Sequence, residues 1–241
     1  MKSAQNHRSG FTMLELIVSL AIIGIISGFI INNFADFRKQ NFQNAAEEMV
    51  SNLRFIQNNA LAGIKPCTLA TDYTLKGWYI KLQPGATSYE LGYICESNPP
   101  ITYTLGPGKT IQLGSSFKIS GFSWPNSSSP HAWVGKCSCA TNPCPSTENY
   151  YYIFEPPKGE LYYATIIEGI AGMVDFNPVK GLTSGTTAVG IILEDPNFKS
   201  IKNQYKGIGI SPVGGITLKN LENSTTWPCT NPGTAWTNIF D

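Results

Sequence analysis

This chain has few charged side chains and almost no histidine. Charged residues make up 14% of its 241 residues and the formal net charge is +1, so no basic excess points to nucleic acid. Beyond residue 10 the single histidine is His131, within a stretch rich in Ser and Pro. Because Ser/His/Asp and Cys/His catalysis both need a histidine beside the nucleophile, the composition argues against either. We predict no enzyme and no cofactor.

Charge is nearly absent between residues 11 and 31, where Glu15 is the one ionisable side chain. About 20 apolar residues suffice for a helix to cross a bilayer, so the run is predicted to span one. An ordinary secretory signal has an apolar region of about 7–15 residues followed by a small-residue cleavage site. Here the run is longer and no Ala-x-Ala follows it. A carboxylate near the membrane core costs roughly 2.5–3.5 kcal/mol, so Glu15 is predicted to serve a function.

The residues around this carboxylate form a motif, Gly10-Phe11-Thr12-Met13-Leu14-Glu15-Leu16. It resembles the prepilin motif of type IV pilins and type II secretion pseudopilins. The resemblance implies that prepilin peptidase cuts between Gly10 and Phe11, methylates Phe11, and leaves the apolar helix on the mature chain. It also implies that Glu15 pairs during assembly with the α-amine of Phe11, either its own or that of a neighbouring subunit.

The resemblance also implies a location and a set of partners. The chain would cross the inner membrane once, with its C-terminal domain outside the cytoplasm, and would enter a pilus or pseudopilus on assembly. Its partners would be prepilin peptidase, other pilins or pseudopilins, an inner-membrane assembly platform and membrane lipid. The sequence leaves open whether the machine is a type IV pilus, a type II secretion system or a competence system.

The helix is predicted to continue past the apolar run. Neither proline nor glycine occurs from Asn32 to Ala62, and Gly63 with Pro66 supplies a stop signal. Six residues at spacings of three and four form one helix face: Phe42, Ala46, Met49, Leu53, Ile56 and Ala60. The chain then divides into a leader over 1–10, which is removed, a transmembrane half of the helix over 11–31, an amphipathic half over 32–63, and a β-rich domain over 64–241.

Two glycines lie in the apolar half of this helix. Gly24 and Gly28 form a GxxxG pattern, which lets helix backbones approach closely in lipid. Major pilins usually carry a proline about a third of the way along this helix, whereas residues 11–65 contain none. Any local melting of the helix must therefore occur at Gly24, at Gly28 or at the pair Asn32-Asn33.

Beyond Pro66, short β-like runs alternate with Gly, Pro, Asn and Ser. Strands are predicted over 67–73, 77–83, 89–95, 110–113, 117–122, 150–155, 160–167, 188–193, 207–211 and 215–218. Residues 156–159 and 212–214 would be turns of two hairpins, and residues 124–150 a Cys-containing irregular insertion. The amphipathic half needs a cover, and a β-sheet is the natural one. We predict an α+β fold, in which a long N-terminal α-helix, membrane-spanning then amphipathic, packs on an antiparallel β-sheet domain of pilin type.

Downstream stretches add a looser resemblance. Residues 46–62 are similar to the second half of the helix in GspH/FimT-type minor pilins. Residues 153–159 and 207–216 resemble the Phe-x-Pro-x-Gly strand turn and the closing hairpin of that subgroup. Within the superfamily, the chain therefore most resembles GspH/FimT-type minor pilins.

All six cysteines lie beyond the apolar run: Cys67, Cys95, Cys137, Cys139, Cys144 and Cys229. An even count on that side favours disulfides in an oxidising compartment. We expect Cys67 to pair with Cys95, a second bridge near Cys137–Cys144 to pin the insertion, and Cys229 to tie down the tail.

Two groups of residues could be mistaken for metal ligands. Cys137, Cys139 and Cys144 lack a fourth nearby ligand and the paired C-x-x-C spacing of a zinc site. Asp175, Glu194 and Asp195 could join a calcium site, but carboxylates near turns are usually solvated. We predict no metal site.

Three functions are consistent with these patterns. The first is structural: a minor pilin or pseudopilin, a non-catalytic subunit that inserts into, initiates or caps a filament. The second is a tip-located binding module for DNA uptake or adhesion, for which Lys199, Lys202 and Lys206 supply a short basic run that could contact DNA. The third is a secreted enzyme or inhibitor on a membrane tether. Salt-sensitive retention on DNA would separate the second from the first.

Overall fold

The computed structural model describes residues 11–67, 73–97, 102–114, 116–124, 132–135, 149–166, 177–178, 189–198, 204–211 and 215–221. The backbone alone is described at residues 29–35, 102, 123–124, 132–135, 160, 163–166 and 177–178. The chain divides into two compact units, Met1–Asn41 and Phe42–Asp241.

A single long helix, α1 (Met13–Leu61), opens the described chain and confirms the predicted helix. Its end is a Schellman motif, in which a residue with positive φ turns the chain out of the helix. The N–H of Gly63 donates to the carbonyl of Ala60 at 3.1 Å, and the N–H of Ile64 donates to that of Asn59 at 3.2 Å. Gly63 has a φ of 62°, which glycine adopts without steric cost. The predicted stop signal is therefore the residue that ends the helix.

The helical backbone is continuous through Gly24, Gly28, Asn32 and Asn33, so none of the three expected melting points interrupts it. Among the described residues, no helix is long and apolar enough to cross a membrane. The helix is thus confirmed, whereas its membrane-spanning half is not supported by the structure.

Twelve strands follow in the described part of the chain. Seven form one antiparallel sheet in the order β3-β2-β1-β7-β8-β9, with β4 also paired to β2. These strands are β1 (Tyr73–Leu82), β2 (Ser88–Ser97), β3 (Thr102–Leu105), β4 (Lys109–Gln112), β7 (Asn149–Glu155), β8 (Glu160–Ile166) and β9 (Asn177–Pro178). We call it the first sheet.

The other five strands form a second antiparallel sheet in the order β12-β11-β10-β5-β6. These strands are β5 (Lys118–Trp124), β6 (Ala132–Gly135), β10 (Val189–Glu194), β11 (Tyr205–Ile210) and β12 (Ile216–Asn220). Neighbouring strands along this order pair antiparallel throughout. We call it the second sheet.

Several predictions about the strands are confirmed and others are wrong. β7 and β8 form the predicted hairpin, and β11 pairs with β12 as expected, although residues 212–214 between them lie outside the described residues. The strands β3 and β9 were not predicted, and β6 lies within the stretch predicted to be irregular. Cys67 belongs to no strand, and Tyr73 begins β1. The strands divide between two antiparallel sheets, which agrees with the predicted α+β fold.

The second half of α1 packs against both sheets. All six residues of the predicted helix face are at most 1% exposed: Phe42, Ala46, Met49, Leu53, Ile56 and Ala60. They share one hydrophobic cluster with Ile80 and Phe154 of the first sheet and Ile191 and Ile208 of the second. Burying a side chain of the size of Phe42, Met49, Leu53 or Ile56 contributes about 1.5–3 kcal/mol, so this face stabilises the packing of the helix on both sheets.

Candidate functional site

The first turn of α1 begins with a reciprocal pair of hydrogen bonds between Thr12 and Glu15. The N–H of Glu15 donates to Thr12 Oγ1 at 3.3 Å, and the N–H of Thr12 donates to Glu15 Oε2 at 3.4 Å. This is a capping box, in which a Thr and a Glu three residues later satisfy two free N–H groups at a helix start. The T-x-x-E signature of this cap is present in the sequence, but the sequence analysis did not predict the cap.

The helix surface that follows the cap is apolar and exposed on this chain. Large side chains from Phe11 to Ile26 range from 49% exposure at Val18 to 83% at Met13. Apolar surface of this extent on one element marks a site that contacts lipid or another protein. Glu15 lies on the same segment and is also exposed. The sequence-predicted residues Phe11 and Glu15 are therefore accessible on one helix end.

The GxxxG pair lies on this exposed segment. A Cβ added at Gly24 or Gly28 would meet no described atom within 4 Å. Because glycine has no side chain, the helix surface at these two positions is open, and another helix backbone could approach it closely. Nothing within the described chain uses it.

The second half of α1 is held by polar contacts as well as by its buried face. Asn52 Nδ2 donates to the Tyr89 hydroxyl of β2 at 2.8 Å, and Arg54 Nη2 donates to the carbonyl of Ile216 of β12 at 3.1 Å. Burial raises the pKa of the Tyr89 hydroxyl to about 12, with the Asn52 hydrogen bond acting in the opposite direction. One contact reaches each sheet, so the helix orientation is fixed on both sides.

Lys206, one of the three lysines predicted to contact DNA, is buried. It lies on β11 at 6% exposure, where its ammonium donates to Gln43 Oε1 and to Asn220 Oδ1, the latter at 2.6 Å. The ammonium also lies 5.7 Å from the ring centroid of Phe42, within the range of a cation–π interaction. Lys206 thus joins α1 to β11 and β12, and its burial argues against the possible DNA contact predicted for it. Lys199 and Lys202 lie outside the described residues.

The structure confirms one of the expected disulfides. Cys67 and Cys95 are bonded, with their Cα atoms 5.9 Å apart. The bridge ties Cys67, which follows the end of α1, to β2 of the first sheet. Cys137, Cys139, Cys144 and Cys229 lie outside the described residues.

The carboxylates considered for calcium are buried rather than solvated. Asp195 is 0% and Glu194 4% exposed. Asp195 Oδ1 accepts the N–H of Asn197 at 3.0 Å, and Glu194 Oε1 accepts Gln204 Nε2 at 3.3 Å. Asp195 therefore caps the turn after β10, and Glu194 bonds to the side chain of Gln204. No cluster of three or more His, Cys, Asp or Glu side chains in the described part of the chain could hold a metal ion, while Asp175 lies outside it.

Comparison with known families agrees with the N-terminal features. Residues 5–31 match the family model of the prokaryotic N-terminal methylation motif. This is the prepilin motif of type IV pilins and pseudopilins, so the chain carries the motif that its sequence resembles. The match covers Gly10, Phe11, Glu15, Gly24 and Gly28 and ends before the β domain. No curated protein and no solved structure matches the chain.

Proposed function

We propose that this protein is a minor pilin or pseudopilin, a non-catalytic subunit that assembles through α1 into the filament of a type IV pilus or type II secretion machine. Prepilin peptidase cuts it after Gly10 and methylates Phe11. The observation that carries the proposal is the exposed apolar segment of α1, which begins directly behind the methylation motif and has Glu15 in its first turn.

The apolar segment supports assembly because it has no described partner on its own chain. A surface helix of a globular protein is apolar along one stripe only, as residues 42–60 are. The segment from Phe11 to Ile26 is apolar on all sides and exposed. Before assembly this segment would lie in the lipid of the inner membrane, with the C-terminal domain outside the cytoplasm. In the filament, the helices of other pilins would replace the lipid.

Glu15 supports a specific role in that assembly. An ionised carboxylate among apolar helices costs several kcal/mol unless a positive group lies near. The α-amine of Phe11, created by cleavage, is the group that the motif supplies at this depth. Pairing of Glu15 with the amine of a neighbouring subunit would favour one stagger between helices. At the inner-membrane assembly platform, each new subunit would then join the filament with this stagger between its helix and that of its neighbour.

Within the superfamily, the proposal is closest to GspH/FimT-type minor pilins. The support is the hairpin of β7 and β8 around residues 156–159, together with the pairing of β11 with β12 at the C-terminal side of the domain. The DNA-binding alternative has less support, because Lys206, one of its three lysines, is buried against Gln43 and Asn220.

The processing step is tested by the intact mass and the N-terminal sequence of the membrane-extracted protein. The expected mature chain begins at methylated Phe11. A mature chain that begins after Ile31 would show an ordinary signal peptide and would overturn the proposal.

The assembly step is tested by Glu15→Leu. We expect this variant to be inserted and cut after Gly10, but to be recovered poorly in sheared filament fractions, because the buried amine of the neighbour loses its carboxylate. Thr12→Val is the matched control, since it removes the Thr12 hydroxyl that caps the helix and leaves the carboxylate in place. If both variants lose incorporation equally, the helix cap is responsible, and if Glu15→Leu assembles normally, the carboxylate is not the contact.

A further inference from the structure

The helix α1 begins at Met13, just after the bond that prepilin peptidase is proposed to cut. Phe11 and Thr12 belong to the described chain but not to the helix. Neither residue is a proline or a glycine, the two residues least compatible with a helix. The start of the helix at Met13 therefore needs another cause.

That cause is a competition between two acceptors for the N–H of Glu15. In a helix that began earlier, this N–H would donate to the carbonyl of Phe11, four residues before it. Instead it donates to Thr12 Oγ1 at 3.3 Å. The N–H of Leu16 donates to the carbonyl of Thr12 at 3.2 Å, which is the helical pattern. The Thr12 hydroxyl thus takes the place of the Phe11 carbonyl, and the helix ends there.

The carboxylate of Glu15 adds to this boundary. Glu15 Oε2 accepts the N–H of Thr12 at 3.4 Å, so Thr12 is bonded through both its side chain and its backbone. A residue held in this way occupies the N-cap position, where the backbone is not helical. Phe11 precedes the N-cap and is therefore held outside the helix as well.

The conformation of Phe11 matters for a peptidase. An extended segment can be bound through its main-chain N–H and C=O groups, as one strand binds another. A helical segment cannot be bound in this way, because those groups are already paired along the helix. A cleavage site next to Phe11 is therefore accessible to a peptidase only as long as the helix does not extend back over it.

We propose that Thr12 is a positioning residue for the prepilin peptidase reaction: its hydroxyl ends α1 at Met13 and so keeps Phe11 in the non-helical conformation in which its bond to Gly10 can be hydrolysed. This inference rests on the proposed processing after Gly10. Thr12 acts through the backbone of Phe11 and touches none of the reacting atoms. Its role precedes that of Glu15, whose carboxylate is proposed to act later, in assembly.

The reaction itself is a hydrolysis. Water adds its oxygen to the carbonyl carbon of Gly10, and the C–N bond between Gly10 and Phe11 breaks. The nitrogen of Phe11 takes a proton and becomes the free α-amine of the mature chain, while Gly10 keeps the new carboxylate. No oxidant or reductant is needed.

The variant Thr12→Val tests the proposal because valine has the shape of threonine but offers no acceptor. The N–H of Glu15 is then free to donate to the carbonyl of Phe11, which extends the helix. Loss of an N-cap side chain shifts such an equilibrium about fivefold, or about 1 kcal/mol. We expect kcat/KM for cleavage to fall about two- to fivefold. It is measured on the full-length precursor in detergent, with limiting peptidase, from the loss of precursor by intact mass.

Two rescue variants separate the cap from a direct contact of the peptidase with the Thr12 side chain. Thr12→Asn has a different side chain that caps a helix at least as well, so it should be cut at about the wild-type rate. Adding Met13→Pro to Thr12→Val should also restore the rate. Proline is well accepted at the first helical position, and the residue before a proline avoids the helical conformation.

Ser19→Ala is the matched control. It removes a hydroxyl of the same helix that donates to the carbonyl of Glu15 at 2.7 Å, within the helix and away from its start, so the rate of cleavage should not change. Glu15→Leu should also be cut normally, because it keeps the backbone N–H that Thr12 Oγ1 accepts.

Cleavage of Thr12→Val at the wild-type rate would overturn the role of Thr12 and leave the processing site intact. Slow cleavage that neither Thr12→Asn nor Met13→Pro restores would also overturn it, since the peptidase would then be reading the threonine itself. If the wild-type precursor is not cut after Gly10, the proposed function fails, and the wild-type mass alone shows this. Filament recovery is scored against the pool of mature chain, so slow cleavage and poor assembly remain distinguishable.

Discussion

The two ends of α1 use apolar side chains in opposite ways. From Phe11 to Ile26 they surround the helix and are exposed, and Gly24 and Gly28 face open space. From Phe42 to Ala60 they form one stripe that is buried between two sheets. The two ends differ in the spacing of their apolar residues rather than in the number of them. A single apolar stripe can be buried by the sheets of its own chain, whereas a helix that is apolar on all sides needs lipid or other subunits around it.

The largest difference is expected between the variants Leu53→Ala and Leu20→Ala, compared by their free energies of unfolding. Leu53 is 0% exposed and Leu20 is 60% exposed. Truncation of a buried leucine typically costs about 2–5 kcal/mol because it leaves a cavity. We expect a loss of that size for Leu53→Ala, and almost none for Leu20→Ala, in the free energy of unfolding of the mature chain in mild detergent. Equal losses would mean that both ends pack within one chain.

Lys206→Met should have the next largest effect. Methionine keeps the unbranched stem but removes the ammonium that donates to half-buried Gln43 and exposed Asn220, and the net loss of a hydrogen bond is about 0.5–1.5 kcal/mol. Urea unfolding measures the loss, and Lys109→Met serves as the control because Lys109 is exposed on β4. A Lys206→Met chain of unchanged stability but weaker, salt-sensitive retention on DNA would restore the DNA-binding interpretation.

Gly24→Ala and Gly28→Ala should affect the isolated chain least. A Cβ at either site meets nothing, and alanine favours a helix over glycine by about 1 kcal/mol at most. We therefore expect no loss in the free energy of unfolding, together with reduced recovery in sheared filaments if helices approach each other there. Ser27→Ala, between the two glycines, adds no bulk and should leave recovery unchanged. Destabilisation of the isolated chain would reveal a partner within it.

The helix was predictable from the sequence because its signals are local. The absence of Pro and Gly from residues 32–62, the spacing of Met49, Leu53 and Ile56, and the stop at Gly63 all act within a few residues. Hairpins such as β7 and β8 were predictable for the same reason. The division of the strands into two sheets was not, because alternation shows which face of a strand is apolar without showing which strands are neighbours.

The burial of Lys206 is indicated by the alternation of residues along β11. It lies two and four residues before Ile208 and Ile210, which places all three on one face of a strand. Both isoleucines are 0% exposed, so the alternation placed the lysine in the core. Its charge suggested a surface instead. Asn220 lies opposite Lys206 in the predicted hairpin of β11 and β12, whereas Gln43 is far away in sequence and only the folded chain brings it to Lys206.

The N-terminal site was largely predictable, since the motif around Gly10, Phe11 and Glu15 is contiguous. The part that was missed, the bond between Thr12 and Glu15, is also contiguous and needed only the T-x-x-E signature. Residues that act through the tertiary fold, such as Arg54 in its hydrogen bond to the carbonyl of Ile216, carry no comparable local signal.

The position of the cap relative to the cleavage site has an electrostatic consequence. In the proposed processing, the bond cut after Gly10 lies outside the capping box, so the two hydrogen bonds between Thr12 and Glu15 would be kept. Cleavage would add a positive charge at Phe11, next to the positive end of the helix macrodipole, where a cation would be unfavourable by about 0.3–1 kcal/mol. Glu15, the acidic residue of the first turn, would offset both the new charge and the dipole. The processed helix start would therefore depend more strongly on this one carboxylate.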